Sequence, residues 1–265
     1  KKWFLPVIIS LCIIFIFSCT RKPYATTNKK YKKSAREYAQ QIRKTPLEQT
    51  ALAWAGTTNF NLRKPNFVII HHTAQNSCDE TLKTFTLERT QVSAHYVICR
   101  DGIVYHMLND YLRAWHAGLS KWGSLTDMNS CSIGIELDNN GFEPFSDAQV
   151  NSLEILLDTL KKQYNIPAKN FIGHADIAPN RKNDPNIFFP WKQLSNHGFG
   201  QWWADTTGVI LPASFDDMQA LRLVGYDVKD SIAAIKTFKQ HYMRDTIPVM
   251  NESAQKVLYM LSKNQ

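Results

Sequence analysis

Apolar runs and the polar breaks between them divide much of the chain into readable elements. NFVIIHH at 66–72 is a β-rich apolar run closed by two histidines, which reads as a buried strand with a polar exit. Between 95 and 108 two apolar runs flank Arg100, Asp101 and Gly102, and the Asp-Gly step favours a hairpin turn. SIGIEL at 132–137 and NFIG at 170–173 read as two more strands. Ser146 and Gln149 form a capping-box pattern. After them Val150, Leu153, Leu157, Leu160 and Tyr164 recur at spacings of three and four, the mark of an amphipathic helix. Strands with intervening helices argue an α/β domain: a mixed central β-sheet flanked by helices, spanning 51–198 and closing near FFPW at 188–191.

After Phe199 the texture changes. Helical patterns at 216–223, 228–241 and 252–261 predict a small all-α module over 199–265, with Leu221, Ile232, Ile235, Phe238, Leu258 and Leu261 as its apolar set. It carries no candidate catalytic group, so a chain cut near Leu194 is expected to keep its chemistry. The tryptophans of QWW at 201–203 are expected to pack between the two parts.

The first nineteen residues follow a different rule. Lys1 and Lys2 precede an apolar stretch from Trp3 to Phe17, which ends in Ser18 and Cys19. A basic start with an apolar core of this length reads as a secretory signal, short for a stable membrane span. Its end, IFSC, resembles the lipobox of bacterial lipoproteins and makes Cys19 the expected lipidation site. An uncleaved N-terminal anchor is the alternative. Both place the rest of the chain outside the cytoplasm, beside a membrane, and Thr20 leans toward the outer membrane facing the periplasm.

Charge then changes the picture less than its total suggests. The formal net charge is +8, but residues 20–50 hold nine basic residues against Glu37 and Glu48, a net of +7. With Lys1 and Lys2 set aside, 51–265 carries −1. The basic excess therefore belongs to a tether over 20–50, with a short helix expected near 35–43. Such a segment suits an anionic membrane surface or stays solvated; it gives no support for nucleic-acid binding. Beyond Cys12 and Cys19 there remain Cys78, Cys99 and Cys131, with no C-x-x-C pair. A cysteine zinc knuckle is excluded, and one disulfide among the three is compatible with an oxidising compartment.

The candidate chemistry sits at strand ends. His71 and His174 each close a strand, and Asp184 lies ten residues past the second, in GHADIAPNRKNDP. Two imidazoles and one carboxylate supply three zinc ligands and leave a fourth position open. Pro179 and Pro185 restrict the backbone on either side of the charged run, and suit a non-helical loop that swings Asp184 back toward His174.

Five strings occur in order: IIHHTA, VSAHYVICRDG, RAWHAG, NSCSIGIEL and GHADIAPNRKNDP. Together, over roughly 65–195, they resemble the zinc-dependent N-acetylmuramoyl-L-alanine amidases of the AmpD and AmiD type, which share a fold with peptidoglycan-recognition proteins. The lipobox and C-terminal helices place the resemblance nearest the lipoprotein AmiD branch, in which a peptidoglycan-binding-like helical module follows the amidase domain. The resemblance implies one Zn2+ ion held by His71, His174 and Asp184, with His72 not a ligand. It also implies Glu136 as catalytic acid–base and Lys182 as its cationic partner. Trp115, His116, Asn129 and Arg181 are candidates for contact with the muropeptide, and His95 is expected to be structural. Peptidoglycan or its muropeptides are the expected substrate. A non-catalytic recognition module and a structural lipoprotein linking membrane to wall are the competing classes.

Overall fold

A computed structural model describes residues 23–43, 57–62 and 64–263, in two compact units divided at Thr57 and Thr58. The expected signal segment with Cys19, and residues 20–22 and 44–50 of the expected tether, lie outside the described residues. In the first unit, helix α1 (Ala25–Arg43) runs for 19 residues with none buried. It starts ten residues earlier than the expected short helix. The sequence offers the reason: lysine, arginine and glutamine are good helix formers on a solvated face, and Lys33 pairs with Glu37 one turn on.

The second unit is built on a five-stranded sheet. Its strands are β1 (Phe67–His72), β2 (Tyr96–Ile98), β3 (Val104–His106), β4 (Ser132–Leu137) and β5 (Phe171–Gly173), in spatial order β3-β2-β4-β1-β5. The β1/β4, β1/β5 and β2/β4 pairs are parallel; β2/β3 is the antiparallel hairpin expected around Asp101-Gly102. The sheet is therefore mixed, as its sequence pattern implies. Every residue of β1 is buried, as a strand covered on both faces should be.

Alternation divides the strands between two cores. Val68, Ile70, Ile133, Ile135 and Leu137 pack against helix α3 (Asp147–Tyr164), whose Val150, Leu153, Leu157, Leu160 and Tyr164 are all buried. Each such side chain contributes about 1.5–3 kcal/mol when fully buried. Ser146 caps α3 by accepting from the Gln149 N–H, as the capping pattern requires. On the opposite face Phe67, Ile69 and Ile172 pack with Ala117, Met128 and Ile177.

Two helices escape the periodicity reading: α2 (Cys78–Thr86) and α5 (Trp191–Asn196). A third, α4 (His174–Ile177), is a single turn that precedes the non-helical loop expected between Pro179 and Pro185. Pro179 is compatible with it because the turn ends before that proline. Cys78 and Cys99 form a disulfide that ties α2 to the end of β2, and Cys131 has no disulfide partner among the described residues.

Helices α6 (Asp217–Val224), α7 (Ser231–Met243) and α8 (Glu252–Ser262) follow. Asp216, Asp230 and Asn251 cap them through side-chain oxygens. Their core holds Leu221, Phe238, Leu258 and Leu261, but Ile232 is exposed and does not join it. Trp202 packs against both this core and the α3 core, and Trp203 donates to the Tyr242 carbonyl. The expectation for QWW therefore agrees with the packing.

Candidate active site

The register of the central strands assembles the site. His71 on β1 lies opposite Glu136 on β4, and Ile70 lies opposite Gly173 on β5, one residue before His174. Three chemistry-bearing side chains thus share one row at the carboxyl ends of parallel strands, where open α/β sheets place their ligands. Asp184 returns from the loop after α4, closed by a hydrogen bond from the Ala175 N–H to the Asp184 carbonyl at 2.7 Å.

His71 Nδ1, His174 Nδ1 and Asp184 Oδ2 form a nearly equilateral triangle with sides of 2.9, 3.0 and 3.0 Å. All three residues are buried. The surrounding hydrogen bonds fix what the triangle's atoms are. Ser132 Oγ donates to the Met128 carbonyl, so it accepts from His116 Nε2–H at 3.2 Å. His116 Nδ1 is then bare and accepts from His71 Nε2–H at 3.0 Å. That leaves a lone pair on His71 Nδ1. His174 Nε2 faces the Ala117 carbonyl at 3.1 Å, and a carbonyl only accepts, so the proton sits on Nε2 and His174 Nδ1 is bare as well.

The electrostatics agree. Burial lowers His71 to about 4 and holds His116 well below its ordinary value. Three lone pairs therefore converge with no proton among them. Such a set repels itself unless a cation joins it, and its spacing suits ligand atoms about 2 Å from one ion. These residues fit a metal, with each histidine oriented through its other nitrogen.

Glu136 stands beside the triangle. Its Oε2 is sealed from solvent without a hydrogen-bond partner among the described residues, and burial, then the charge of Asp184, pushes this carboxyl up to about 8 against the pull of Lys182. A cleft of about 360 Å³ opens over the site, lined by His71, His174, Asp184, Glu136, Lys182, Arg181, Trp115 and His116, with a wall from Thr81, Thr84 and Phe85 of α2. Trp115 is half exposed at its rim.

The remaining expected residues divide. His72, buried against Gly141, is not part of the triangle. His95 is structural, accepting from the Gly134 N–H and donating to the Leu112 carbonyl. His116 reaches the cleft, but both ring nitrogens are engaged in orienting His71, not free for substrate. Asn129 is buried and is not among the residues lining the cleft; its Oδ1 accepts from the backbone N–H groups of His116 and Ala117. Arg181 lines the cleft while its Nη2 fastens the Ala117 and Leu119 carbonyls. The Ser132–His116–His71 relay escaped sequence reasoning. Its one legible trace is Gly134: a Cβ there would fall 2.4 Å from the His116 ring.

A mostly parallel sheet with two imidazoles, a carboxylate and a half-buried glutamate at its strand ends defines the class of metal-dependent hydrolases. The N-acetylmuramoyl-L-alanine amidase family model matches residues 61–187. The amidase AmiD of Escherichia coli (strain K12) is 38% identical over 206 residues, which is 66% of this chain and 74% of AmiD. A solved complex of E. coli AmiD with the substrate anhydro-N-acetylmuramic acid-L-Ala-D-γ-Glu-L-Lys aligns with TM-score 0.69 at 29% identity, covering 79% of this chain and 93% of that one. AmpDH3 of Pseudomonas aeruginosa with anhydromuramic pentapeptide aligns with TM-score 0.71 at 27% identity, over 82% and 98%. The chain belongs to the N-acetylmuramoyl-L-alanine amidases, enzymes that hydrolyse an amide bond.

Proposed function

We propose that this chain is a zinc-dependent amidase that cuts the bond between the lactyl group of N-acetylmuramic acid and L-alanine in peptidoglycan or its muropeptides. The observation that carries this reading is the convergence of three bare ligand atoms beside the unpaired Glu136 carboxyl. Two imidazoles and one carboxylate are a ligand set that zinc accepts. Bound there, zinc supplies Lewis acidity to the attacking water and to the amide carbonyl. Glu136 takes the proton from that water as its oxygen bonds to the carbonyl carbon. It then delivers the proton to the alanine nitrogen as the C–N bond breaks, leaving a lactyl carboxylate and a free amine. Lys182, on the loop two residues before Asp184, offers its cation to the developing oxyanion. Trp115 and Arg181 border the space for the muramoyl peptide. The test is zinc content of the purified protein, with mass spectrometry of sacculi and soluble muropeptides after digestion. Stoichiometric zinc with amide cleavage supports the reading; no cleavage of either substrate removes it.

Lys182→Ala is expected to retain the ion and to lose about 10²–10³ in kcat, the usual cost of one oxyanion partner. Metal analysis and steady-state kinetics check this. A loss of metal instead would reassign Lys182 to site assembly.

The proposed location is the periplasmic face of a membrane, most consistent with the outer membrane, held by a lipid on Cys19. The basic α1 supports a membrane-proximal tether. Its lysines suit an anionic surface, while Tyr31, Tyr38 and Ile42 line another side at spacings of seven and four. Cys19→Ser should release the protein from membrane pellets or block processing. Unchanged membrane retention at normal mature size would remove the lipid anchor.

A further inference from the structure

Two consecutive side chains of α7 reach the loop that carries the proposed ligands. Gln240 is buried, and its Nε2 donates to the Asn183 carbonyl at 2.8 Å and the Pro185 carbonyl at 2.9 Å. Those two carbonyls flank Asp184. Both can only accept, which fixes the NH2 end of the amide toward them. His241 Nδ1–H donates to Asp176 Oδ2 at 2.7 Å. The same oxygen accepts from the Gly173 N–H, and Asp176 Oδ1 accepts from Tyr226 OH, each at 2.7 Å. Gly173 and Asp176 bracket His174. The His241 ring is held in turn by stacking on Trp191, centroids 3.9 Å apart and planes 12° apart.

The loop needs such bracing. Between α4 and α5 no helix or strand orders residues 178–190, so no ladder holds the backbone that carries Asp184. The Ala175 N–H holds the Asp184 carbonyl, and one glutamine spanning the Asn183 and Pro185 carbonyls holds the backbone just before and just after it, and with it the departure of the Asp184 side chain. One histidine held against Asp176 fixes the turn that presents His174.

We propose that Gln240 and His241 are positioning residues for the metal site, and that the C-terminal helices complete it. This rests on the proposed function above, because the site they position is the one assigned there to zinc. The expected independence of a chain cut near Leu194 is at odds with these contacts.

The test uses the full chain, zinc alone as the probe, and chelator competition as the readout. Gln240→Glu keeps the shape but sets a carboxylate against two carbonyls. His241→Phe keeps the stack on Trp191 but removes the donor to Asp176. Both should weaken zinc binding about 10–100-fold, the usual effect of losing an outer partner of a ligand. The visible spectrum of the cobalt-substituted protein should shift, while far-UV circular dichroism stays that of the unaltered chain. His241→Asn restores a donor near the Nδ1 position and should recover most of the affinity. If Gln240→Glu does not fold, Gln240→Leu removes the donors without adding charge and carries the same expectation. Unaltered zinc affinity and cobalt spectrum in the Gln240 and His241→Phe variants overturn this inference alone. Failure of the unaltered chain to bind zinc overturns the proposed function and this inference with it.

Discussion

Glu136→Gln should leave the metal bound and reduce kcat by about 10²–10⁴, the range for a lost general acid–base. The side chains are nearly isosteric, and Glu136 is not one of the three converging donors, so metal analysis should match the unaltered protein. The same substitution predicts a second, separable effect. Without metal, burial holds the Glu136 carboxyl up to about 8, against an ordinary value of 4.5. A carboxyl whose folded value is raised favours the fold below its unfolded value and gives up that contribution as pH climbs through the folded one. Glutamine has nothing to ionise. Metal-free Glu136→Gln should therefore be more stable than the metal-free parent, by a margin that grows from pH 5 to pH 8. Urea denaturation at the two pH values measures it. A constant margin would mean the carboxyl is not held up in the folded state, and loss of metal in this variant would make Glu136 a ligand.

Asp184→Ala removes one donor of three, and its effect should be the largest on binding. The loss should exceed the roughly 10–100-fold typical of an outer partner, so dialysed protein is expected to lose its ion, and hydrolysis with it. The fold should persist, because the hydrogen bond that closes the loop uses the Asp184 backbone carbonyl, not its side chain. Equilibrium dialysis against zinc, followed by muropeptide cleavage, checks both halves. Retained zinc at parental affinity would exclude Asp184 from the ligand set.

Legibility in the sequence follows the range of the physics involved. The strands are readable because each is a short apolar run with a turn signal beside it, and α3 because cap and stripe coincide. The metal triangle is readable because its members end strands or sit within a proline-bounded run. Helix α2 is passed over because its nine residues are too few for a stripe; the Ser77–Glu80 pair, in which Ser77 caps the Glu80 N–H, was the available signal. The Cys78–Cys99 pairing depends on a 5.4 Å approach of two elements, which no spacing encodes. The place of Asn129 is illegible for a related reason: an amide near a site motif looks the same in sequence whether it faces solvent or caps two backbone N–H groups. The contacts of Gln240 and His241 join residues 55–65 positions apart and leave no periodic trace.

The long reach of the triangle has a thermodynamic consequence. His71 is 103 residues from His174 and 113 from Asp184. Closing a loop of that length in a disordered chain costs about (3/2)RT ln n, roughly 4 kcal/mol before any constant. An unfolded chain therefore offers the ion no comparable tripod, and binding is linked almost wholly to the native state. Free metal at a hundred times its dissociation constant then adds about 2.7 kcal/mol to the stability of the fold. Metal supply would set not only how fast such an enzyme works but how long it survives among proteases, which cut the opened chain in proportion to its population.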